Sequence, residues 1–360
     1  MRFYALTIKK IVRLTSESVV ISLEVPRLLR RLFVAEAGQY ITLKVELQGE
    51  SFRRSYSLCA PCVDGSELQF AVKRVAGGAV SPHLVGNLVP GGELEVAPPD
   101  GRFVIDYEPA LATKRVFVAA GSGITPIVAQ IETVLEREPR SKVLLVYSNR
   151  ALADMMFRQK LHVWEQEYEG RFFQLHFITG SGDAAHEVSI EFPNAMVREG
   201  RTNWMVVDET IRKYLEHPAL AHYYLCGPDS LIEQGRDFLF ELNIPRARVL
   251  YEYFTSTREN NTLMSTQSVD AVLRVTIDGE EHTVSVPAGK TILESVIAAG
   301  LDAPYSCRSG ICTTCMAVAE GSFDTSKNIA LGPDDFEQGY ILTCSTLCTS
   351  ETGSVNYDEA

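Results

Sequence analysis

Long apolar runs are missing from this 360-residue chain. The strongest, residues 143–147 (VLLVY), has the length of a strand and falls far short of the roughly 18 residues that a membrane helix needs. The first 25 residues alternate like a strand and lack the basic-then-apolar layout of a secretion signal, so a cytoplasmic protein is expected. Positive charge is also in short supply: 34 Lys+Arg face 46 Asp+Glu, a net of −12, which argues against a nucleic-acid partner. The seven histidines show no HxH or HExxH spacing, and no Ser/His/Asp arrangement stands out, so hydrolytic chemistry has no support. Internal repeats and low-complexity tracts are lacking as well.

Cysteine is present but dilute, eight in all, and four of the eight follow a metal-ligand pattern. Cys307-x4-Cys312-x2-Cys315 is followed by Cys344 after a gap of 28 residues. That spacing holds a plant-type [2Fe–2S] cluster, four thiolates on two irons. Structural zinc also takes four cysteines, but its sites usually pair two CxxC knuckles, whereas three ligands here share one loop. Gly310 and the small residues Ser309, Thr313 and Thr314 let that loop fold around the irons and offer N–H groups to the sulfurs. Cys348 lies off the spacing, and Cys59 and Cys62 form a CxxC without a second pair; all three are read as structural. A disulfide framework is the weaker reading in a chain with no export signal.

The acidity is concentrated around this motif. Residues 270–360 carry 14 Asp+Glu against 4 Lys+Arg, and the remaining 269 residues are close to balanced. Such a surface either keeps a small domain soluble or steers it toward a basic docking face on an electron acceptor.

Three blocks follow from the patterning. Residues 1–108 read as short strands between Gly/Pro turns, with one helical stretch near residues 81–88, and predict an antiparallel β-barrel. Residues 109–255 alternate strand, glycine turn and helix, and predict a parallel α/β sheet covered on both faces. A helix is expected around residues 155–168. Residues 256–269 (STRENNTLMSTQSV) are polar and aperiodic, a linker. Residues 270–360 open with a hairpin turning at Asp278-Gly279 and a helix that ends at Gly300, and predict a small α+β domain of β-grasp type.

Two segments of the first block suit a flavin. Arg54-Ser55-Tyr56-Ser57 supplies a cation for a pyrophosphate, an aromatic to stack on a flat ring and a hydroxyl for its reactive edge, with Arg54 and Tyr56 on one face of a strand. Val72 and Lys73 follow on the next strand, and Gly78-Ala79-Val80-Ser81 opens the helical stretch as a phosphate cradle. In the second block, Gly121-Ser122-Gly123-Ile124-Thr125-Pro126 joins a strand to a helix, the usual place for a nucleotide phosphate. Cys226-Gly227-Pro228 closes a later strand of the same block. Arg150, at the end of YSNR, and Arg158 on the expected helix could hold a 2′-phosphate and favour NADPH over NADH. Glu252 and Phe254 end the block in YEYF.

Residues 270–360, through PYSCRSGICTTC and GYILTC, resemble a plant-type ferredoxin, and the first two blocks resemble the ferredoxin–NADP reductase superfamily. The resemblance implies that RxYS and GGAVS hold FAD, that GxGxTP and CGP hold NAD(P)H, and that the CGP segment lies beside the nicotinamide. It implies roles in hydride transfer for Ser57, Cys226 and Glu252, with Phe254 near the flavin and Tyr253 where relatives more often carry arginine. Over the whole chain the order of domains is similar to the reductase components of multicomponent oxygenases, nearest the group serving phenylacetyl-CoA epoxidase and 3-ketosteroid 9α-hydroxylase, which YSNR…DMMFRQ also matches. An electron-transfer enzyme feeding a di-iron or Rieske oxygenase is expected. A reductase for a desaturase or a hybrid-cluster protein stays open, as does a redox-sensing regulator, which would show no pyridine-nucleotide turnover.

Overall fold

The computed structural model describes residues 1–110, 112–255 and 268–360, with Thr255 in its main chain only. Nearly all of the expected linker, 256–269, therefore lies outside the described residues. The chain divides into two compact units. One comprises Tyr4–Phe52 and Tyr56–Thr255; the other gathers the C-terminal residues, described from 268 onward, with Met1–Phe3 and Arg53–Ser55.

The larger unit begins with six antiparallel strands: β1 (Tyr4–Thr15), β2 (Ser18–Glu24), β3 (Tyr40–Leu47), β4 (Glu50–Ser57), β5 (Glu67–Lys73) and, after helix α1 (Val80–Gly86), β6 (Glu93–Val96). Their spatial order is β4-β3-β6-β1-β2-β5. Just beyond β4, Leu58 bridges antiparallel to Phe70 of β5, which brings the two edges of the sheet together as a barrel. Alternate side chains such as Leu6, Ile8, Ile21, Leu23, Ile41 and Leu43 fill its interior.

The same unit continues as a doubly covered parallel sheet. Its elements are β7 (Lys114–Ala120), α2 (Ile124–Arg137), β8 (Lys142–Asn149), α3 (Arg158–Glu167), β9 (Phe172–Ile178), α4 (Ala184–Glu191), β10 (Met196–Glu199), α5 (Trp204–Leu215), β11 (Ala221–Pro228), α6 (Asp229–Glu241) and β12 (Val249–Thr255). The order β10-β9-β8-β7-β11-β12 pairs β7 with β11, so their C-terminal ends carry the two glycine motifs side by side. The helix expected over 155–168 is shorter, because Leu152–Asp154 forms a 3-10 turn and Phe157 takes a left-handed conformation (φ 58°) just before α3.

Beneath this sheet Arg115, at the start of β7, is buried against Glu138 (2.6 Å) and donates to the Tyr224 hydroxyl (2.6 Å). Glu138 also accepts from the Thr113 hydroxyl and from the Glu108 amide, so the connecting segment between barrel and sheet is held by a satisfied charge pair.

The smaller unit holds β13 (Ala271–Ile277), β14 (Glu280–Val286), α7 (Ile292–Ala298), β15 (Met316–Glu320), β16 (Phe323–Asp324), α8 (Pro333–Glu337), β17 (Tyr340–Leu342), β18 (Leu347–Cys348) and β19 (Thr352–Asn356). Five strands form a mixed sheet, β14-β13-β19-β15-β17, with first and last strands parallel at its centre, the β-grasp arrangement. The hairpin turns at Asp278-Gly279 as expected, and the Asp358 carboxylate caps it by accepting from both amides. Thr291 and Glu294 start α7 with a reciprocal capping box. Among the described residues no helix is long and apolar enough to cross a membrane.

Candidate active site

Topology brings together residues far apart in sequence. β11 and β12 pair in parallel with Cys226 beside Glu252, and β7 sets Ala119 on the other side of Cys226. Across from this row, the end of β4 presents Ser57, whose hydroxyl donates to Glu252 Oε2 at 3.3 Å. Glu252 keeps part of its surface open but is packed round by protein. That desolvation pushes its carboxyl up to about 8, with the Ser57 hydrogen bond working against it. The Cys226 thiol is fully buried; desolvation raises it well above the ordinary cysteine range, and the neighbouring Glu252 adds to the shift. Cys226 is therefore a neutral group and no nucleophile at neutral pH.

The two glycine motifs are in contact. A Cβ on Gly123 would lie 2.2 Å from the Cys226 carbonyl oxygen, so only glycine permits this approach of the turn to β11. Thr125 closes the turn by donating to the Ser122 carbonyl (3.0 Å), and Pro126 sits in the first turn of α2, where no intrahelical N–H is required. Above Gly121 the space is open: a Cβ there would meet only the Lys73 ammonium, at 3.8 Å. A left-handed glycine facing open space beneath a cation is a fitting seat for a nucleotide phosphate. Gly227 is buried, Pro228 is exposed, and Phe254 packs against the sheet's core.

On the barrel, Tyr56 lies on Phe70 (centroids 5.7 Å apart), and Arg54 is exposed two residues before it, on the same side of β4. Gly78 and Ala79 lead into α1. Ser81 turns its hydroxyl back to accept from the Val75 amide at 3.0 Å, which fixes the loop that precedes the helix. Val72 and Val80 bury their side chains in the barrel core, which leaves only their main chain for a ligand. Arg150 and Arg158 each have a carboxylate within reach, Asp154 at 3.6 Å and Glu191 at 3.4 Å, both through Nε. Cys59 and Cys62 are free and buried, one in each core of the larger unit.

In the smaller unit the four spaced cysteines converge. The sulfurs of Cys307 and Cys312 are 3.1 Å apart, the Ser309 amide donates to Cys307 Sγ (3.4 Å), and the Gly310 amide donates to Cys344 Sγ (3.3 Å). Crowding splits the thiols: donation from its neighbours pulls Cys307 far below the ordinary range, while Cys312 and Cys344 are driven up. Four negative sulfurs cannot share this volume without a compensating positive charge, which the irons of a cluster supply. Among the described residues no three His, Cys, Asp or Glu side chains close around a single ion position.

Three family profiles match in succession: an oxidoreductase FAD-binding domain over residues 5–105, an oxidoreductase NAD-binding domain over 117–237, and a 2Fe-2S iron-sulfur cluster binding domain over 275–349. The chain is 30% identical over 360 residues to one of the subunits of 1,2-phenylacetyl-CoA epoxidase from Escherichia coli, covering 99% of this chain and 98% of that one. The chain belongs to the ferredoxin–NADP reductase superfamily of oxygenase reductases. It is also 31% identical over 337 residues to the ferredoxin reductase component of 3-ketosteroid-9-alpha-monooxygenase from Mycobacterium tuberculosis, covering 92% and 87% of the two chains. In fold it is similar to phthalate dioxygenase reductase, with a TM-score of 0.61, 24% identity and 98% of both chains covered.

For an oxygenase reductase, the structure adds residues that sequence reading passed over. Tyr147 donates from its hydroxyl to the Gly121 carbonyl at 3.0 Å and so buttresses the nucleotide turn; it stood in the quoted YSNR without a role. Arg236 on α6 donates to the Tyr253 hydroxyl (3.1 Å) and stacks over Tyr251 (4.6 Å), which steadies the strand bearing Glu252. Tyr253 thus meets an arginine from elsewhere in the chain, a pairing with no local signal in the sequence.

Proposed function

We propose that this oxygenase reductase takes a hydride from NAD(P)H and passes single electrons through FAD and a [2Fe–2S] cluster to an oxygenase component. The observation that carries the reading is the meeting of Ser57, Glu252 and Cys226 above the Gly121–Gly123 turn in one unit, in a chain that also collects four cysteines. Bound FAD supplies the exchange between a two-electron donor and a one-electron acceptor, chemistry that no side chain here can perform.

The chain's own residues position and protect. The α1 loop at Gly78–Ser81 would hold the flavin's pyrophosphate, and Tyr56 would flank its ring. Gly121, Gly123, Thr125 and Lys73 seat the nucleotide phosphates, and Gly227 with Pro228 limits where the nicotinamide can lie. Ser57 orients its hydroxyl toward the reacting edge and is itself held by Glu252. At neutral pH Glu252 is largely protonated, so no full negative charge stands where negative charge arrives. Cys226, also neutral, fills the space beside it. Cys307, Cys312, Cys315 and Cys344 would hold the cluster, with the Ser309 and Gly310 amides tuning it.

We assign the domain limits as 1–108, 109–255, the linker 256–269 and 270–360, in a protein of the cytoplasm with its eight cysteines unpaired. NADPH is the proposed donor. Arg150 and Arg158 reach their carboxylates through Nε at 3.6 and 3.4 Å, and exposed pairs of this kind are worth about 0–1 kcal/mol, so a 2′-phosphate competes readily for both guanidiniums. The partner is proposed to be a di-iron or Rieske oxygenase that docks on the acidic ferredoxin domain. The reading is tested with cytochrome c as acceptor. Wild-type protein should reduce it rapidly with NADPH, and Cys344→Ser should lose most of that activity while its flavin is still reduced at the wild-type rate. A wild type without turnover would restore the redox-sensor reading.

A further inference from the structure

Between the cluster loop and the strand end that carries Cys344 runs the segment Ser326-Lys327-Asn328-Ile329-Ala330, which no ligand motif includes. Asn328 is buried there, 5% exposed, and the hydrogen bonds of its side chain all go to residues around Cys344. Its Oδ1 accepts from the Leu342 amide at 2.6 Å. Its Nδ2 donates to Ser345 Oγ and to Thr346 Oγ1, both at 3.1 Å. Both hydroxyls can take that role because each has its own outlet: Thr346 Oγ1 donates to the Leu342 carbonyl at 2.8 Å, and Ser345 Oγ reaches the same carbonyl at 3.4 Å. The amide orientation is fixed by this pattern, since the Leu342 N–H can only donate.

The main chain on either side of Asn328 grips the other half of the site. Ile329 and Ala330 donate their amides to the Gly310 carbonyl, at 2.9 and 3.0 Å. Gly310 is left-handed (φ 73°), and a Cβ on it would lie 2.2 Å from the Lys327 carbonyl oxygen. Its amide is the one that donates to Cys344 Sγ. One buried amide side chain and its neighbours therefore tie the fourth ligand to the loop holding the other three.

We propose that Asn328 is a positioning residue for the iron–sulfur centre: it sets the place of Cys344 and of the Gly310 N–H aimed at its sulfur, and through them the cluster's potential. The proposal rests on the cluster reading given above. N–H donors to a sulfur ligand favour the more negative, reduced form, so loosening them lowers the potential. Asn328→Ala removes the anchor. Asn328→Asp keeps the shape and the acceptor for Leu342 but loses both donors and adds negative charge. Ser326→Ala, on an exposed side chain of the same segment, is the control.

The experiment is a redox titration of the full-length protein followed by EPR of the reduced cluster, together with the rate of bleaching by an iron chelator. Both Asn328 variants should shift the cluster's reduction equilibrium about tenfold toward the oxidised form, about 59 mV for one electron. They should lose iron about tenfold faster than wild type and Ser326→Ala, with flavin reduction unchanged. Loss of the cluster from both variants with flavin reduction intact would support the proposal equally. Wild-type potential and EPR in Asn328→Asp, or global unfolding of that variant, would overturn the proposal. Absence of a [2Fe–2S] signal in wild-type protein would overturn the cluster reading itself.

Discussion

Glu252 sets a pH dependence on the chemistry that a single substitution should erase. Its carboxyl is pushed up to about 8, so about nine-tenths is neutral at pH 7 and about one-tenth at pH 9. If only the neutral form lets a hydride arrive beside Ser57, the rate of flavin reduction by saturating NADPH should fall about tenfold between those two pH values. A side-chain amide has no such proton to lose. Glu252→Gln should therefore keep the pH 7 rate within about threefold and show a flat profile to pH 9, as read by stopped-flow absorbance of the flavin. Stability should move in the matching direction. A carboxyl raised in the folded state stabilises fully below its unfolded value of 4.5, and that contribution is lost as pH rises toward 8. Glu252→Gln should therefore gain on wild type across that window, by about 3 kcal/mol after allowance for its partial exposure. Identical pH profiles for wild type and Glu252→Gln would refute the reasoning.

Other expectations follow from contacts already described. Gly123→Ala forces a methyl onto the Cys226 carbonyl; it should cost about 2–4 kcal/mol in denaturant unfolding and weaken NADPH binding at least tenfold by titration. Glu138→Gln leaves Arg115 buried without a counter-charge and should cost about 3–5 kcal/mol, whereas Arg115→Met combined with Glu138→Leu should recover most of it. The pair holds the Glu138 carboxyl below its ordinary range, so its contribution is present above about pH 4.5 and fades on acidification, which a wild-type acid-unfolding curve compared with the double variant would reveal. Arg150→Ala with Arg158→Ala should lower kcat/KM for NADPH at least tenfold and leave NADH within about threefold; equal losses for both nucleotides would sink the 2′-phosphate reading.

What could be read from the sequence was what chemistry forces into local spacing. Cys307, Cys312, Cys315 and Cys344 must recur at ligand intervals, and GSGITP must join a strand to a helix, so both were legible. The barrel and the parallel sheet were legible from alternation and from glycine turns. Residues 172–215 were not: FFQLHFI is buried on both faces and shows no alternation, and AAHEVSIE makes a short helix with a weak apolar stripe. The contacts that complete the site were also invisible in advance. Ser57 and Glu252 are 195 residues apart and meet only because a barrel and a sheet are packed together in one unit. Asn328 is an ordinary polar residue in an ordinary segment until the fold surrounds it with Leu342, Ser345 and Thr346. Lys73 was grouped with the flavin segments, and only the fold sets its ammonium over Gly121 of the nucleotide turn.

The most direct test of electron flow from nicotinamide to cluster is an anaerobic titration of the full-length protein with NADPH, followed by absorbance. One FAD takes two electrons and one cluster takes one, so both sets of bands should bleach together and finish at about 1.5 equivalents of NADPH per chain. Bleaching that stops at one equivalent with the iron–sulfur bands intact, or a protein with no visible absorbance, would contradict the reading.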